Sequence, residues 1–182
     1  HAGSLLSVSG FYKEISDPIE YVQRFQASLE YTTAVNYPEG WLRGFELEAR
    51  QALKHVSEAL NGFSIGANAT FIQSEVTLPD AEAAAFRAVG APTSTRDMMG
   101  APKYLYNLNL TYEHPDYHTQ VGAFYTVRGD TLTQGGVALG NSYVPDVYAK
   151  EYGTLNLSVM QPITAMNIWA SGVSSLKTRA TM

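Results

Sequence analysis

The stretch FSIGANATF, residues 63–71, alternates between two kinds of side chain. Its even positions carry small or polar residues, and its odd positions carry Phe63, Ile65, Ala67, Ala69 and Phe71. Successive side chains of a β-strand point to opposite faces of the sheet. The alternation therefore predicts a strand with one apolar face and one polar face.

The same period of two recurs along the chain and predicts about seven strands. We place them at residues 5–15, 41–53, 62–76, 101–112, 119–130, 150–160 and 166–176. Each is about 11–15 residues long, whereas strands of soluble proteins usually run about 5–6 residues. A tilted transmembrane strand needs about 9–11 residues, so the strand lengths favour a membrane β-barrel.

The connections between these strands alternate between long and short. The long links are residues 16–40, 77–100 and 131–149, and the short ones are 54–61, 113–118 and 161–165. An up-and-down barrel of an outer membrane has long outer loops and short periplasmic turns. A soluble sandwich with Greek-key crossings has no reason to keep that rhythm. Within the second long link, the Ala-rich residues 80–90 predict a short helix capped by Asp80 and ended by Gly90.

Composition excludes several classes of protein. The 182 residues are 45% hydrophobic and 12% aromatic, which excludes wholesale disorder. Charged residues make up 16%, and the net charge of −5 offers no basic surface for nucleic acid. The absence of cysteine excludes disulfides, thiol catalysis and cysteine-based zinc sites in this chain. No apolar run reaches the roughly 18 residues of a membrane-spanning helix.

Aromatic residues stand near the ends of the predicted strands. Tyr104 and Tyr112 bracket an aliphatic stretch, as Phe63 and Phe71 do on the preceding strand. This is the spacing of two aromatic girdles around an apolar belt. Arg43 falls on an apolar face near an aromatic residue, where a long side chain can reach the membrane edge.

Five stretches, in chain order, resemble one family. They are SVSGFYKEISDPIE at 7–20, GFELEAR at 44–50, GFSIGANATF at 62–71, GAPKYLYN at 100–107 and YTVRGD at 125–130. Each resembles a barrel strand or loop entry of the TonB-dependent outer-membrane receptors, and together they cover nearly the whole chain. The resemblance implies an all-β, antiparallel up-and-down meander that forms a roughly seven-stranded segment of a barrel of about 22 strands.

The resemblance also implies function. Receptors of this family import scarce ligands, such as siderophore-bound iron, cobalamin or oligosaccharides, with energy passed on by TonB. We expect residues 1–182 to be a partial barrel domain without the plug domain, located in the bacterial outer membrane. The expected partners are outer-membrane lipid, the rest of the barrel and its plug, TonB through the N-terminal part of the receptor, and a small nutrient ligand. No cofactor, metal or catalytic residue is expected.

Two groups of residues are candidate ligand-binding residues. The polar positions of the predicted strands supply lumen-facing candidates: Glu46, Glu48, Arg50 and Arg128. We interpret the first three as a lumen face with an internal ion pair rather than a paired-carboxylate active site. The long links supply outer-loop candidates: Arg87, Asp97, Asn141 and Tyr143. Long exposed loops are where ligand is first met.

Three alternatives remain at this point. Residues 128–130 read Arg-Gly-Asp, which is either an adhesion motif or the end of a strand; we favour the strand end. Residues 113–118 combine histidine with carboxylates, as a metal site would, but we favour a polar turn. The whole chain could instead be a soluble β-sandwich module that binds carbohydrate.

Overall fold

A computed structural model of the chain describes residues 3–26 and 29–162. The strand predicted at 166–176 lies outside the described residues. The strands are β1 Ser4–Ser16, β2 Ile19–Gln26, β3 Leu29–Asn36, β4 Glu39–Ala52, β5 Phe63–Thr77, β6 Thr95–Arg96, β7 Tyr104–Glu113, β8 Gln120–Arg128, β9 Thr131–Gln134, β10 Val137–Leu139, β11 Ser142–Val144, β12 Val147–Ala149 and β13 Tyr152–Met160. The helix α1 spans Asp80–Ala88, and two 3-10 turns span Leu53–His55 and Glu58–Leu60.

Six long strands form one antiparallel sheet in the order β1-β4-β5-β7-β8-β13. Because this order follows the chain, the sheet is an up-and-down meander, and the predicted fold class is confirmed. The bounds of the first six predicted strands agree with the structure to within three residues. The sheet has a seventh strand, but it is the two-residue β6, which pairs with β5 at the end of the second long link.

The strand register keeps the two faces separate across the sheet. One row of opposed residues consists of Leu6, Ala49, Ala67, Leu108, Tyr125 and Leu155. The next row, on the opposite face, consists of Ser7, Glu48, Asn68, Asn107, Thr126 and Thr154. A slip of one residue would move a strand's apolar set to the other face. We call these two sides the apolar face and the polar face.

Aromatic side chains lie in two bands on the apolar face. Towards one end, the ring centroids of Phe45 and Phe71 are 4.8 Å apart, and Phe71 meets Tyr106 edge-on at 5.7 Å. Towards the other end, Phe63 and Tyr112 are 4.5 Å apart. The bands flank aliphatic rows, as the sequence predicts.

Arg43 lies beside the first band. Its guanidinium carbon is 5.0 Å from the centroid of the Trp41 ring, and its Nε and Nη2 donate to Gln73 Oε1 at 3.1 and 2.9 Å. The side chain therefore satisfies its donors along the strand while its stem covers apolar surface.

The three long links contain more regular structure than the sequence pattern indicates. Residues 16–40 form the β2–β3 hairpin, residues 77–100 contain α1 and β6, and residues 131–149 contain the pairs β10–β11 and β9–β12. Most of these strands are two to four residues long, too short to show a period. Together we call the three links the outer cap.

The ends of α1 correct one prediction and confirm another. Pro79 occupies the N-cap position without a side-chain bond, and Asp80 is the first helical residue, so the predicted capping role of Asp80 is wrong. Asp80 still places a negative charge in the first turn, where the helix dipole favours it. Gly90 adopts φ +76°, and the N–H groups of Gly90 and Ala91 bond to the carbonyls of Arg87 and Phe86. This is a Schellman ending, which a glycine permits.

The buried hydrophobic cluster of the described residues lies mostly in the outer cap, where the cap meets the sheet. Its members are Val22, Tyr37, Val76, Leu78, Ala83, Phe86 and Met98. Ile15, Leu42 and Val76 join this cluster from β1, β4 and β5, where their positions belong to the polar face. The outer cap therefore packs onto the polar-face side of the sheet at one end. None of the helices in the described residues is long and apolar enough to cross a membrane.

Candidate functional site

Three of the lumen-facing candidates lie together on β4. Arg50 Nη2 is 2.7 Å from Glu48 Oε1, so the predicted ion pair is present on the polar face. The Arg50 side chain is 69% exposed, and an exposed pair of this kind contributes at most about 1 kcal/mol. Glu46 accepts long hydrogen bonds from Ser9 and Thr70, both at 3.4 Å. These side chains form a polar, partly exposed surface with unused hydrogen-bonding capacity.

Arg128 extends this polar surface on the same face of the sheet, as far as β8. It lies in the same cross-strand row as Glu46, three strands away, which is roughly 14 Å at the spacing of neighbouring strands. Its Nη2 donates to Gly100 O at 2.8 Å, and its Nε donates to Thr131 Oγ1 at 3.3 Å. Arg128 therefore joins the polar face to the base of the outer cap.

One buried charge of the outer cap is Arg96, which is 8% exposed. Its guanidinium donates to the Tyr37 hydroxyl, to the Glu82 carboxylate and, at 3.3 Å, to Gly136 O. Asp146 Oδ1 is 3.8 Å from Nη1, and the Tyr37 ring centroid is 5.3 Å from the guanidinium carbon. A buried cation needs this density of partners, because losing the water shell costs several kcal/mol. We call these five residues the Arg96 cluster.

The partners of Arg96 come from all three long links. Tyr37 ends the first link, Glu82 and Arg96 belong to the second, and Gly136 and Asp146 belong to the third. The hydroxyl of Tyr37 also donates to both oxygens of Glu82, at 2.8 and 3.0 Å. Burial raises the pKa of Tyr37, so the phenol keeps the proton that it donates. One guanidinium thus joins three segments that the sequence places far apart.

Space around the guanidinium is tightly limited. A Cβ atom added at Gly135 would overlap the Arg96 guanidinium, which its partners prevent from moving. The Nε of Arg96 is buried and has no hydrogen-bond partner in the part of the chain that the structure describes. The Arg96 cluster is therefore closely packed but not fully satisfied.

Glu20 is a second buried charge of the outer cap, 4% exposed. Its carboxylate accepts from the N–H of Met99 at 3.3 and 3.4 Å. Burial raises the pKa of Glu20, and the Met99 bond and the Arg96 charge oppose that rise only in part. An ionised Glu20 is consequently unfavourable in the folded outer cap.

Glu20→Gln should therefore make the folded outer cap more stable at neutral pH. A carboxyl whose pKa is raised in the folded state contributes full stability below its ordinary pKa and loses that contribution as pH rises through the raised value. Hydrogen exchange of residues 19–36 in the complete receptor should be measured from below the ordinary pKa of a glutamate up to neutral pH. Protection against exchange should decline as pH rises in the native protein and should change less with pH in Glu20→Gln. Glu30→Gln, on the exposed tip of the same hairpin, is the matched control. Lower protection of Glu20→Gln at neutral pH would contradict the prediction.

Residues of the second and third long links line a groove in the outer cap. The second link contributes Phe86, Pro92 and Thr95, and the third contributes Tyr143 and Val144; Arg96 and Asp146 also contact the groove. Its walls are mainly apolar with a few polar groups, a composition common in ligand sites. Of the four outer-loop candidates, this groove includes Tyr143.

The other outer-loop candidates are dispersed. Arg87 is exposed in the last turn of α1, and Asn141 is exposed between β10 and β11. Asp97 accepts from the Tyr148 hydroxyl at 2.9 Å and pairs with Lys103 Nζ at 3.3 Å, so it is a structural link at the base of the cap. Burial raises the pKa of Tyr148, which keeps its hydroxyl available as a donor to Asp97.

The four lumen-facing candidates thus share one face of the sheet, whereas the four outer-loop candidates do not come together in one site. Sequence reasoning did not identify Tyr37, Glu82, Arg96 and Asp146 as a cluster. Arg96 lies 59 residues from Tyr37 and 40 from Gly136, and its partners Tyr37, Glu82 and Asp146 stand in three different links. No local spacing could have revealed the cluster.

The Arg-Gly-Asp tripeptide marks the end of a strand, as we favoured. Arg128 is the last residue of β8, and Thr131 begins β9. Asp130 accepts from the Glu151 N–H at 3.0 Å and from Lys150 Nζ at 3.2 Å. These two contacts, the backbone bond first, lower the pKa of Asp130.

Residues 113–118 form a short polar turn. His114 Nδ1 accepts backbone N–H groups of Asp116 and Tyr117 at 3.2 and 3.3 Å, and Glu113 Oε1 is 3.2 Å from His118 Nδ1. Among residues 3–26 and 29–162, no three His, Cys, Asp or Glu side chains are grouped as a metal ion would require.

A meander with one apolar face, one polar face and folded long links at one end defines the wall of a membrane β-barrel. The family model described as "TonB dependent receptor-like, beta-barrel" matches residues 1–169. The chain belongs to this family, and the resemblance seen in its sequence motifs is confirmed. Neither a curated protein nor a solved structure matches the chain.

Proposed function

We propose that this chain is part of a bacterial outer-membrane receptor that imports a scarce nutrient ligand. The ligand class that we propose is siderophore-bound iron, cobalamin or an oligosaccharide, and energy comes from TonB through other parts of the receptor. The observation that carries the proposal is the cross-strand register, which keeps an apolar face and a polar face in line over six strands. A transmembrane barrel wall requires this arrangement.

The apolar face supports placement against lipid. Leu108 and Tyr125, in the middle of the sheet, are 48% and 45% exposed. A continuous exposed apolar surface of this kind is unfavourable in water and marks a membrane or protein contact. The soluble carbohydrate-binding module receives no comparable support, because the six long strands lie in one sheet rather than in two packed sheets.

The two groups of candidates receive different proposed roles. The exposed side chains of Arg87, Asn141 and Tyr143 make first contact with ligand on the outer cap. The polar face, with Glu46, Glu48, Arg50 and Arg128, lines the lumen. Asp97 supports the outer cap from its base. The role of the chain is transport, with no catalytic step.

Tyr143→Ala should weaken ligand capture without affecting assembly. Tyr143 is half-exposed at the groove, so its removal costs contact area with ligand but little folding energy. We expect a loss of about 1–3 kcal/mol in binding, or roughly 5- to 150-fold in affinity. Uptake of radiolabelled ferric siderophore, cobalamin and oligosaccharide by cells carrying the complete receptor would measure it.

The matched control is Tyr117→Ala. Tyr117 is also an exposed tyrosine, 69% accessible, but it lies in the short turn at the opposite end of the sheet. Equal uptake by the two variants, for a ligand that the native receptor imports, would contradict the assignment of the outer cap. Uptake of none of the three ligand classes would contradict the proposed ligand class.

A further inference from the structure

The outer cap lies over part of the polar face. The Arg96 cluster, which joins the links of this cap, therefore bears on access to the lumen. The cap packs on polar-face positions of β1, β4 and β5, so it lies over the polar side of the sheet. Ser74, on the polar face of β5, is 8% exposed, and its hydroxyl accepts the N–H of Met98 at 3.3 Å. The closed cap therefore covers the end of the polar face from which its links emerge.

The three links depend on one another through a shared charge. The Glu82 and Asp146 carboxylates and the Tyr37 hydroxyl lie around one guanidinium, each brought by a different segment. If the first or the third link moves away, Arg96 loses a partner while its charge stays buried among the others. If the second link moves, Arg96 leaves with Glu82, and Tyr37 and Asp146 lose the cation that they share. Removing one partner of a buried ion pair is far more costly than breaking an exposed pair. Partial opening is therefore disfavoured relative to opening of all three links.

We propose that Arg96 is a positioning residue that couples the three long links, so that the outer cap opens and closes over the polar face as one unit. The coupling regulates access to the site proposed above, and it depends on that proposal only for the location of the cap at the outer mouth of the barrel. Opening any link requires the guanidinium to leave its partners, after which water can reach all three segments.

Hydrogen exchange in the complete receptor tests this coupling. Arg96→Met keeps an unbranched stem but removes the charge and all donors. We expect exchange in residues 19–26, 80–88 and 142–149 to accelerate together, by on the order of tenfold or more. Lys103→Met is the matched control. It also removes a cation that pairs with a carboxylate, that of Asp97, but the Lys103 side chain is 57% exposed rather than buried. That variant should change exchange near residues 97–103 and, through the contact of Lys103 with the Tyr148 ring, near residue 148, by less than about fivefold, and should leave 19–26 and 80–88 unchanged.

A thiol placed under the outer cap provides a second readout. The chain has no cysteine, so Ser74→Cys introduces a single thiol into this segment. Its reaction with a maleimide should be faster in the Arg96→Met background. A thiol at Ser7, which is exposed on the same face away from the cap, should react at the same rate in both backgrounds.

Acceleration confined to residues 93–98, or unchanged labelling at position 74, would overturn the proposal. If Arg96→Met does not assemble, Glu82→Gln replaces it, because an amide keeps an acceptor for Tyr37 but removes one opposing charge. It should give the same three-segment pattern with a smaller amplitude, and a response limited to α1 would equally overturn the coupling. Both readouts need no ligand, so a failure of the proposed uptake leaves them interpretable, and their failure leaves uptake untouched.

Discussion

Leu108→Arg should prevent most of the receptor from assembling in a lipid bilayer. Leu108 lies midway between the two aromatic bands on the apolar face, four residues from both Tyr104 and Tyr112. An arginine on the lipid side near the bilayer midplane costs about 2–4 kcal/mol. Heat-modifiable mobility on gels, after refolding of the complete receptor into vesicles, measures the assembled fraction.

The adjacent residue supplies the control for this substitution. Asn107 lies on the same strand but on the polar face, opposite Asn68 and Thr126. Asn107→Arg should assemble nearly as well as the native receptor, because its side chain meets a polar surface. If both substitutions reduced assembly equally, the assignment of lipid and lumen faces would be wrong.

Glu82→Ala should open the outer cap without disrupting the sheet. It removes the carboxylate that contacts both Arg96 and Tyr37 and leaves a buried cation with fewer partners. Breaking a buried pair by removing one partner costs about 3–5 kcal/mol. Hydrogen exchange of residues 77–100 in the complete receptor should lose protection by that amount, whereas β5 and β7 should keep theirs.

Asp80→Ala is the control on the same helix. Asp80 is exposed in the first turn and has only a favourable interaction with the helix dipole, worth up to about 1 kcal/mol. A loss of protection as large as that of Glu82→Ala would show that the helix itself, rather than the Arg96 cluster, sets the stability of the outer cap.

The barrel wall was predictable because its signal is local. Alternation with their neighbours shows which face of the sheet residues such as Leu108 and Asn107 occupy. The register then follows because the apolar residues of neighbouring strands must lie on the same face. The positions of Glu46, Glu48, Arg50 and Arg128 on the polar face are therefore recovered from sequence. The ending of α1 at Gly90 is also local, since a glycine is needed where φ is positive.

The outer cap was not predictable in the same way. Most of its strands are too short to show an alternating pattern of side chains. At the start of α1, Pro79 occupies the helix N-cap position that we assigned to Asp80. The contacts of the Asp97 carboxylate with Lys103 and Tyr148 were not visible in the sequence either, and its contact with ligand stays a prediction. Such pairings depend on where links from distant parts of the chain meet.

The sequence by itself determined the six long strands of the sheet, their two faces and the family, because each depends on residues within one strand and on motifs in chain order. Tertiary structure alone decided that the long links fold into a cap over the polar face around Arg96. The physical reason is that a buried cation must be neutralised by whichever partners the packed links bring to it. Those partners, at positions 37, 82 and 146, come from three separate links.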